Sequence, residues 1–65
     1  MRMIQDSHGR VIGRVLTTSA GLEYMDPSGR VVARVIDNRT YDASGRFMGY
    51  GDQGMLVLQQ QMIFS

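Results

Sequence analysis

Three near-copies of one turn constrain the fold of this chain more than any other feature. The sequence runs DSHGRVIG from Asp6, DPSGRVVA from Asp26 and DASGRFMG from Asp42. An aspartate that opens a tight turn accepts hydrogen bonds from backbone N–H groups two or more residues ahead, and glycine tolerates the positive φ that such a turn requires. The β-branched and apolar residues that follow each turn favour strands. The pattern therefore predicts three consecutive β-hairpins.

The segments around the turns predict how the chain is organised. Its 65 residues leave room for a single domain, residues 1–65. Hairpins are predicted at about residues 2–16, 22–36 and 39–51, with entering strands at roughly residues 2–5, 22–25 and 39–41 and a break of loop composition at Asp37 and Asn38. The uncharged tail at residues 55–64 suits a helix or a long strand, and we predict a C-terminal strand. The predicted fold is all-β: consecutive short antiparallel hairpins with internal pseudo-repeats, arranged like a flower or a small barrel.

Alternation along the strands predicts two different faces. Steps of two from the first turn give an apolar face with Val11, Gly13 and Val15. The opposite face then carries Arg10, Ile12 and Arg14. In the other two hairpins the small central residue is Ala33 or Gly49, and the same face carries Val31 and Val35, then Phe47 and Gly51. We predict that these small residues pack inward, where strands crowd toward a common axis.

The repeated hairpin resembles those of the small bacterial β-flower proteins, in which short hairpins radiate from a pseudo-symmetric centre. The motif D-x-x-G-R-[VF]-[IVM]-[GA] covers about residues 4–51. Its matched positions are Asp6, Gly9, Arg10, Gly13, Asp26, Gly29, Arg30, Ala33, Asp42, Gly45, Arg46 and Gly49. The stretch TYDASGR also has a weaker likeness to the YD-type hairpin repeats of secreted shell-forming bacterial proteins. The β-flower resemblance implies a fold, and it implies neither an activity nor site residues.

The residue types that usually carry catalysis are sparse. The chain has no cysteine and one histidine, His8, which lies inside a turn. The serines lie in turns or at the C-terminus, without the strand-turn-helix setting of an activated nucleophile. Each repeated turn offers one carboxylate, whereas Ca²⁺ takes six to eight oxygen ligands. We therefore predict a chain that is not an enzyme and has no catalytic, cofactor-binding or metal-binding residues.

The arginines support two interpretations. All seven cations of the chain are arginine, and a basic stripe for an anionic ligand, nucleic acid included, is one possibility. The candidate residues are Arg10, Arg14, Arg30, Arg34 and Arg46. The other interpretation, which we favour, is that their stems cover apolar surface while their heads pair with carboxylates. A net charge of +1 also provides little attraction toward nucleic acid.

Self-association is predicted by elimination. A core this small is marginal without disulfides or metal, and the uncharged tail would leave a sticky edge. The candidate interface residues are Leu56, Leu58, Met62, Ile63 and Phe64. The predicted function is a non-enzymatic structural or protein-interaction module that works as a homo-oligomer; the alternative is a small Arg-presenting module for an anionic ligand or nucleic acid. No stretch resembles a signal peptide or a membrane span, so a cytoplasmic location is expected.

Overall fold

Six strands form one antiparallel sheet in the computed structural model of this protein, which describes the backbone of residues 1–64 and the side chains of residues 1–60. In chain order the elements are β1 (Arg2–Gln5), β2 (Val11–Thr17), β3 (Leu22–Met25), β4 (Val31–Ile36), β5 (Arg39–Asp42), β6 (Phe47–Tyr50) and α1 (Gly54–Phe64). Each strand pairs with its neighbours in sequence. The predicted architecture of consecutive antiparallel hairpins is confirmed, and within the described residues β1 and β6 pair with one neighbour each, which leaves the sheet open.

The three repeated turns close as the aspartate-glycine spacing predicts. In the second turn, Asp26 Oδ1 accepts the N–H groups of Ser28 and Arg30 at 3.0 and 2.9 Å. The N–H of Asp26 donates to the carbonyl of Arg30, and Gly29 has a φ of 92°. The other two turns have the same backbone contacts. This geometry is a three-residue hairpin loop in which a type I turn is followed by a glycine in the left-handed region.

A different turn joins the second hairpin to the third. Asp37 and Asn38 have φ angles of 52° and 61°, and they connect the paired residues Ile36 and Arg39. Two consecutive residues with positive φ form a type I′ turn, whose twist matches that of the strands it connects. Aspartate and asparagine tolerate this conformation better than other side chains do, so the local sequence explains the reversal.

A β-bulge in the second strand of every hairpin interrupts the alternation of side chains. In β2 the extra residue is Ile12, because its neighbours Val11 and Gly13 pair with consecutive residues of β1. The equivalent extra residues of β4 and β6 are Val32 and Met48. At each bulge, two residues of the bulged strand oppose one residue of the partner strand. The residues between the turn and the bulge therefore lie on the face opposite to the one that strict alternation predicts.

The bulges make part of the predicted alternation wrong. Ile12 and Val32 are buried in the core, although strict alternation places Ile12 on the arginine face. Val31 pairs with Met25, the residue after the buried Tyr24, and therefore lies on the side of the sheet away from the core. Three residues predicted for the core side lie on that opposite side: Val11, Val31 and Phe47.

The C-terminal segment is a helix, so the predicted strand at residues 55–64 is wrong. Leucine, methionine and glutamine favour helices, and the buried positions Gly54, Val57 and Leu58 recur at the spacing of one helix face. We call the side of the sheet that packs against α1 the covered face. A Cβ at Gly13 would lie 2.5 Å from Leu58 Cδ2, and Ala33 is fully buried. Gly13 and Ala33 pack inward as predicted, whereas Gly49 is only half-buried. At Gly13 the space is limited by a helix side chain and by the backbone carbonyl of Met25 on β3.

Two polar contacts hold the start of α1 against the sheet. Thr40, buried on β5, donates its hydroxyl to the carbonyl of Gly51 at 2.7 Å and accepts the N–H of Gln53 at 2.8 Å. The Tyr24 hydroxyl donates to Asp52 Oδ2 at 2.8 Å, while Asp52 Oδ1 accepts the N–H of Gly54 at 3.0 Å. Burial and the adjacent Asp52 carboxylate raise the pKa of Tyr24 to about 12. Asp52 therefore caps the helix and links it to the sheet.

Candidate anion-binding face

Six of the seven arginines, including the five predicted ones, separate into two groups. Those that follow the turn glycines lie at one end of the sheet, and their charges are largely offset locally. Arg10 Nε lies 3.2 Å from Asp6 Oδ2 and Arg46 Nε lies 3.7 Å from Asp42 Oδ2, with both arginine side chains 79 % exposed. Arg30 occupies the same place in the second turn. Exposed ion pairs of this kind contribute little to stability, but they keep the turn end close to neutral.

The turn aspartates stay ionised because the turns hydrogen-bond them. The N–H of Arg10 is the main reason that the pKa of Asp6 lies below its usual value. For Asp26 and Asp42, the hydroxyls of Ser28 and Ser44 are the largest cause of a lowered pKa. Hydrogen bonds to a carboxylate favour its charged form. Half of the six acidic residues of the chain therefore lie in turns at one end of the sheet.

The side of the sheet opposite the covered face, which we call the open face, carries the second group of arginines. Arg14 and Arg34 alternate with core residues of β2 and β4, and Arg39 precedes the buried Thr40 on β5. No other element packs on this side within the described residues. Arg34 Nε lies 3.3 Å from Glu23 Oε2 across strands β3 and β4. Three arginines thus share this side with the Glu23 carboxylate, and Asp42 at its turn edge is paired with Arg46, so the open face is positively charged.

An aromatic cluster lies beside these arginines at the β5–β6 end of the open face. The rings of Tyr41 and Phe47 are 6.0 Å apart between centroids, and those of Phe47 and Tyr50 are 5.1 Å apart. Both pairs meet edge to face, at 66° and 68°. Phe47 is 45 % exposed and Tyr50 is 70 % exposed. We call Arg39 and these three rings the aromatic corner.

Two depressions flank Tyr41 on the open face. The aromatic corner lines one of them, with a volume of about 290 Å³. The other, of about 320 Å³, is lined by Arg34, Ile36, Tyr41, Asp42 and Gly45. The Asp42 carboxylate places a negative charge at the second depression, whereas Arg39 is the charged residue of the first. An anion is therefore better accommodated beside Arg39 than beside the Asp42 carboxylate.

Sequence reasoning found part of this face. Arg14 and Arg34 were among the predicted anion-binding residues, while Arg10, Arg30 and Arg46 lie at the turn end instead. The sequence analysis did not identify Arg39 or the three rings of the aromatic corner as site residues. Phe47 was assigned to the core side because the bulge at Met48 has no signal in a single strand. The bulge arises because the consecutive residues Thr40 and Tyr41 pair with Gly49 and Phe47, which makes Met48 the extra residue of β6.

The predicted interface residues have different surroundings. Leu58 is fully buried within the chain itself, which leaves it out of reach of a second copy. Leu56 is 55 % exposed on α1. The side chains of Met62, Ile63 and Phe64 lie outside the described residues.

Within the described residues, no three histidine, cysteine or acidic side chains are grouped so that they could hold a metal ion. In the same part of the chain, no helix has the length and apolar character needed to cross a membrane. Comparison with protein-family models, curated proteins and solved structures finds no match. The resemblance to β-flower proteins stays a prediction.

Proposed function

We propose that this protein is a non-enzymatic binding module that holds an anionic ligand on the open face of its sheet. The observation that carries the proposal is the position of Arg14, Arg34 and Arg39 on a side that α1 leaves uncovered. Glu23 on the same side pairs with Arg34. Guanidinium groups form strong, directional hydrogen bonds with carboxylate, sulfate and phosphate oxygens. The paired strands fix the backbone positions of these arginines, which lowers the entropy lost on binding relative to a flexible loop.

The charge of the open face also bears on the kind of partner. Two copies that docked these faces together would bring their arginines against each other, and like charges across an interface are unfavourable. The total charge of +1 conceals this surface, because Asp37 and Asp52 lie elsewhere, in the β4–β5 turn and just before α1. An anionic partner is therefore a better match for the open face than a second copy.

The experiment compares two triple variants that lose the same number of charges. One replaces the open-face cations (Arg14→Gln, Arg34→Gln, Arg39→Gln), and the matched control replaces the turn cations (Arg10→Gln, Arg30→Gln, Arg46→Gln). Binding to heparin, used as a generic polyanion, is measured by titration calorimetry at several salt concentrations. We expect the open-face variant to lose at least tenfold in affinity, since charge-assisted hydrogen bonds contribute about 1.5–3 kcal/mol each, and the control to lose much less.

Two results would contradict the proposal. Equal losses in both variants would mean that heparin responds to total charge and not to the open face. Failure of the intact protein to bind at low salt would remove the proposal altogether. We expect each variant to retain the sheet, because the substituted side chains are exposed or half-buried. Circular dichroism of each variant checks this.

Self-association is a second candidate role, favoured by one observation. In the described part of the chain β1 pairs only with β2, and its Met3 is 57 % exposed. At the other edge, Gly51 has a φ of 77° and β6 continues through residues 51–53 into α1, which packs on the covered face. We propose that β1 of one copy pairs with β1 of a second copy across a two-fold axis, the commonest symmetry of homo-oligomers. Such pairing would satisfy the open backbone groups of β1 and extend the open face.

A further inference from the structure

We infer that the aromatic corner binds single-stranded nucleic acid, with bases stacked on its rings and the backbone phosphates held by the adjacent arginines. This inference rests on the proposed anion-binding function and assigns the ligand its chemical class. Its basis is the coincidence of exposed aromatic rings with cations on one rigid surface. Neither feature alone would identify a ligand.

The exposed rings need a partner that presents flat apolar faces. Phe47 and Tyr50 contact each other edge to face, an arrangement that occupies one face of only one of the two rings. Both side chains remain substantially exposed. Stacking of a base on an exposed aromatic ring is favourable for every base, because each base has a π face. Acidic polysaccharides carry the charge but lack such aromatic faces.

The arginines are interleaved with the rings across the strands. Arg34 lies directly opposite Tyr41, and Arg39 lies directly opposite Tyr50. Side chains opposite each other on antiparallel strands have Cβ atoms about 5 Å apart. Each of the two cations therefore has a ring as its immediate neighbour. A single strand of nucleic acid likewise presents a stackable base beside each phosphate, so the two patterns are complementary.

Shape distinguishes a single strand from a duplex. A duplex buries the faces of its bases, so Phe47 and Tyr50 would have nothing to stack on. The major groove is about 12 Å wide and admits a helix or a two-stranded ribbon, whereas the open face is the broad side of a six-stranded sheet. We therefore expect the open face to meet a duplex at its phosphates. Unpaired bases are therefore required for the rings to contribute.

The experiment measures fluorescence anisotropy of a labelled 12-nucleotide oligothymidine and of a 12-base-pair duplex with the intact protein, and calorimetric binding of heparin in parallel. The test variant carries Phe47→Leu and Tyr50→Leu, which remove two exposed rings without changing charge. The matched control is Met48→Leu on the same strand. We expect single-strand affinity to fall about tenfold or more in the test variant, while heparin affinity changes less than about twofold. The Met48→Leu control should bind as the intact protein does.

The possible outcomes separate the two proposals. Equal binding of single strand and duplex, or a ring variant that binds oligothymidine as well as the intact protein does, would overturn the nucleic-acid inference and leave anion binding in place. Absence of binding to all three probes would overturn both. A ring variant that loses heparin and oligothymidine affinity equally would also overturn the inference, because the rings would then be supporting the surface and not stacking on bases.

Discussion

At the scale of single residues, the turn aspartates couple the stability of the hairpins to pH. Each accepts two backbone N–H groups, and the folded state holds the pKa of Asp6, Asp26 and Asp42 below its ordinary value. A carboxyl group with a lowered folded pKa contributes stability that is complete above its unfolded pKa and is lost as the pH falls toward the folded one. The affected range therefore begins near pH 4, the ordinary value for aspartate being about 3.9.

We expect the free energy of unfolding to fall as the pH drops from about 4 to 2, measured by urea denaturation followed by circular dichroism. Asparagine keeps an acceptor oxygen and does not titrate. A variant with Asp6→Asn, Asp26→Asn and Asp42→Asn should therefore show a flatter pH dependence in this range. If the variant falls as steeply as the intact protein, the acid sensitivity comes from other groups.

Tyr24 is expected to produce the opposite dependence at high pH. Its pKa is raised to about 12, so the folded state opposes ionisation that the unfolded chain undergoes near pH 10. Stability is complete below the unfolded pKa and is lost as the pH rises through the interval between the two values. Tyr24→Phe should remove this loss.

The same variant should destabilise the protein at neutral pH by about 1–2 kcal/mol, because the hydrogen bond to the Asp52 carboxylate is removed. Tyr50→Phe is the matched control: its ring is exposed, and we expect a change within about 0.5 kcal/mol. Thermal and urea unfolding at pH 7 and at pH 11 test both statements. An unchanged alkaline profile in Tyr24→Phe would show that another group titrates there.

At the scale of elements, α1 completes the core that the sheet begins. Val57 and Leu58 are buried against the covered face, and Leu58 lies where Gly13 leaves space. Gly54 lies against the Tyr24 ring, with which a Cβ at that position would overlap. The helix and the sheet are therefore complementary at side-chain level, and neither buries its apolar surface without the other.

We expect Leu58→Ala to destabilise the protein by about 2–5 kcal/mol, since it removes a fully buried leucine and leaves a cavity. Leu56→Ala, two positions earlier on the exposed side of α1, provides the control with an expected change within about 0.5 kcal/mol. Urea unfolding of the two variants gives the comparison. Similar values for both would mean that α1 contributes little to the folded core in solution.

At the scale of the whole molecule, opposite edges of the sheet differ in their capacity for pairing. The proposed dimer uses β1, and Met3→Lys should block it, since lysine on an edge strand disfavours pairing with another chain. Met48→Lys places the same charge on β6 and is expected to leave the dimer intact. Light scattering at micromolar concentration measures the mass of each form. A folded monomer for the intact protein would remove the self-association proposal, while anion binding would stand.

Much of the fold follows from local sequence. The aspartate-glycine spacing determines the three repeated turns, Asp37 and Asn38 determine the fourth, and the predicted strands at residues 2–5 and 22–25 have the observed bounds. These features depend on a few adjacent residues and on backbone preferences that every chain shares. They could be predicted because no distant contact is needed to decide them.

The bulges, the C-terminal helix and the candidate site were decided by tertiary structure. A bulge exists only relative to the partner strand, so Met48 gave no sign that Phe47 would face outward beside Tyr41. The tail could form either a helix or a strand by composition, and the space above Gly13 favours the helix that places Leu58 there. The charge of the open face is likewise a property of arrangement, because pairing distributes the arginines and aspartates of a nearly neutral chain to different ends and faces of one sheet.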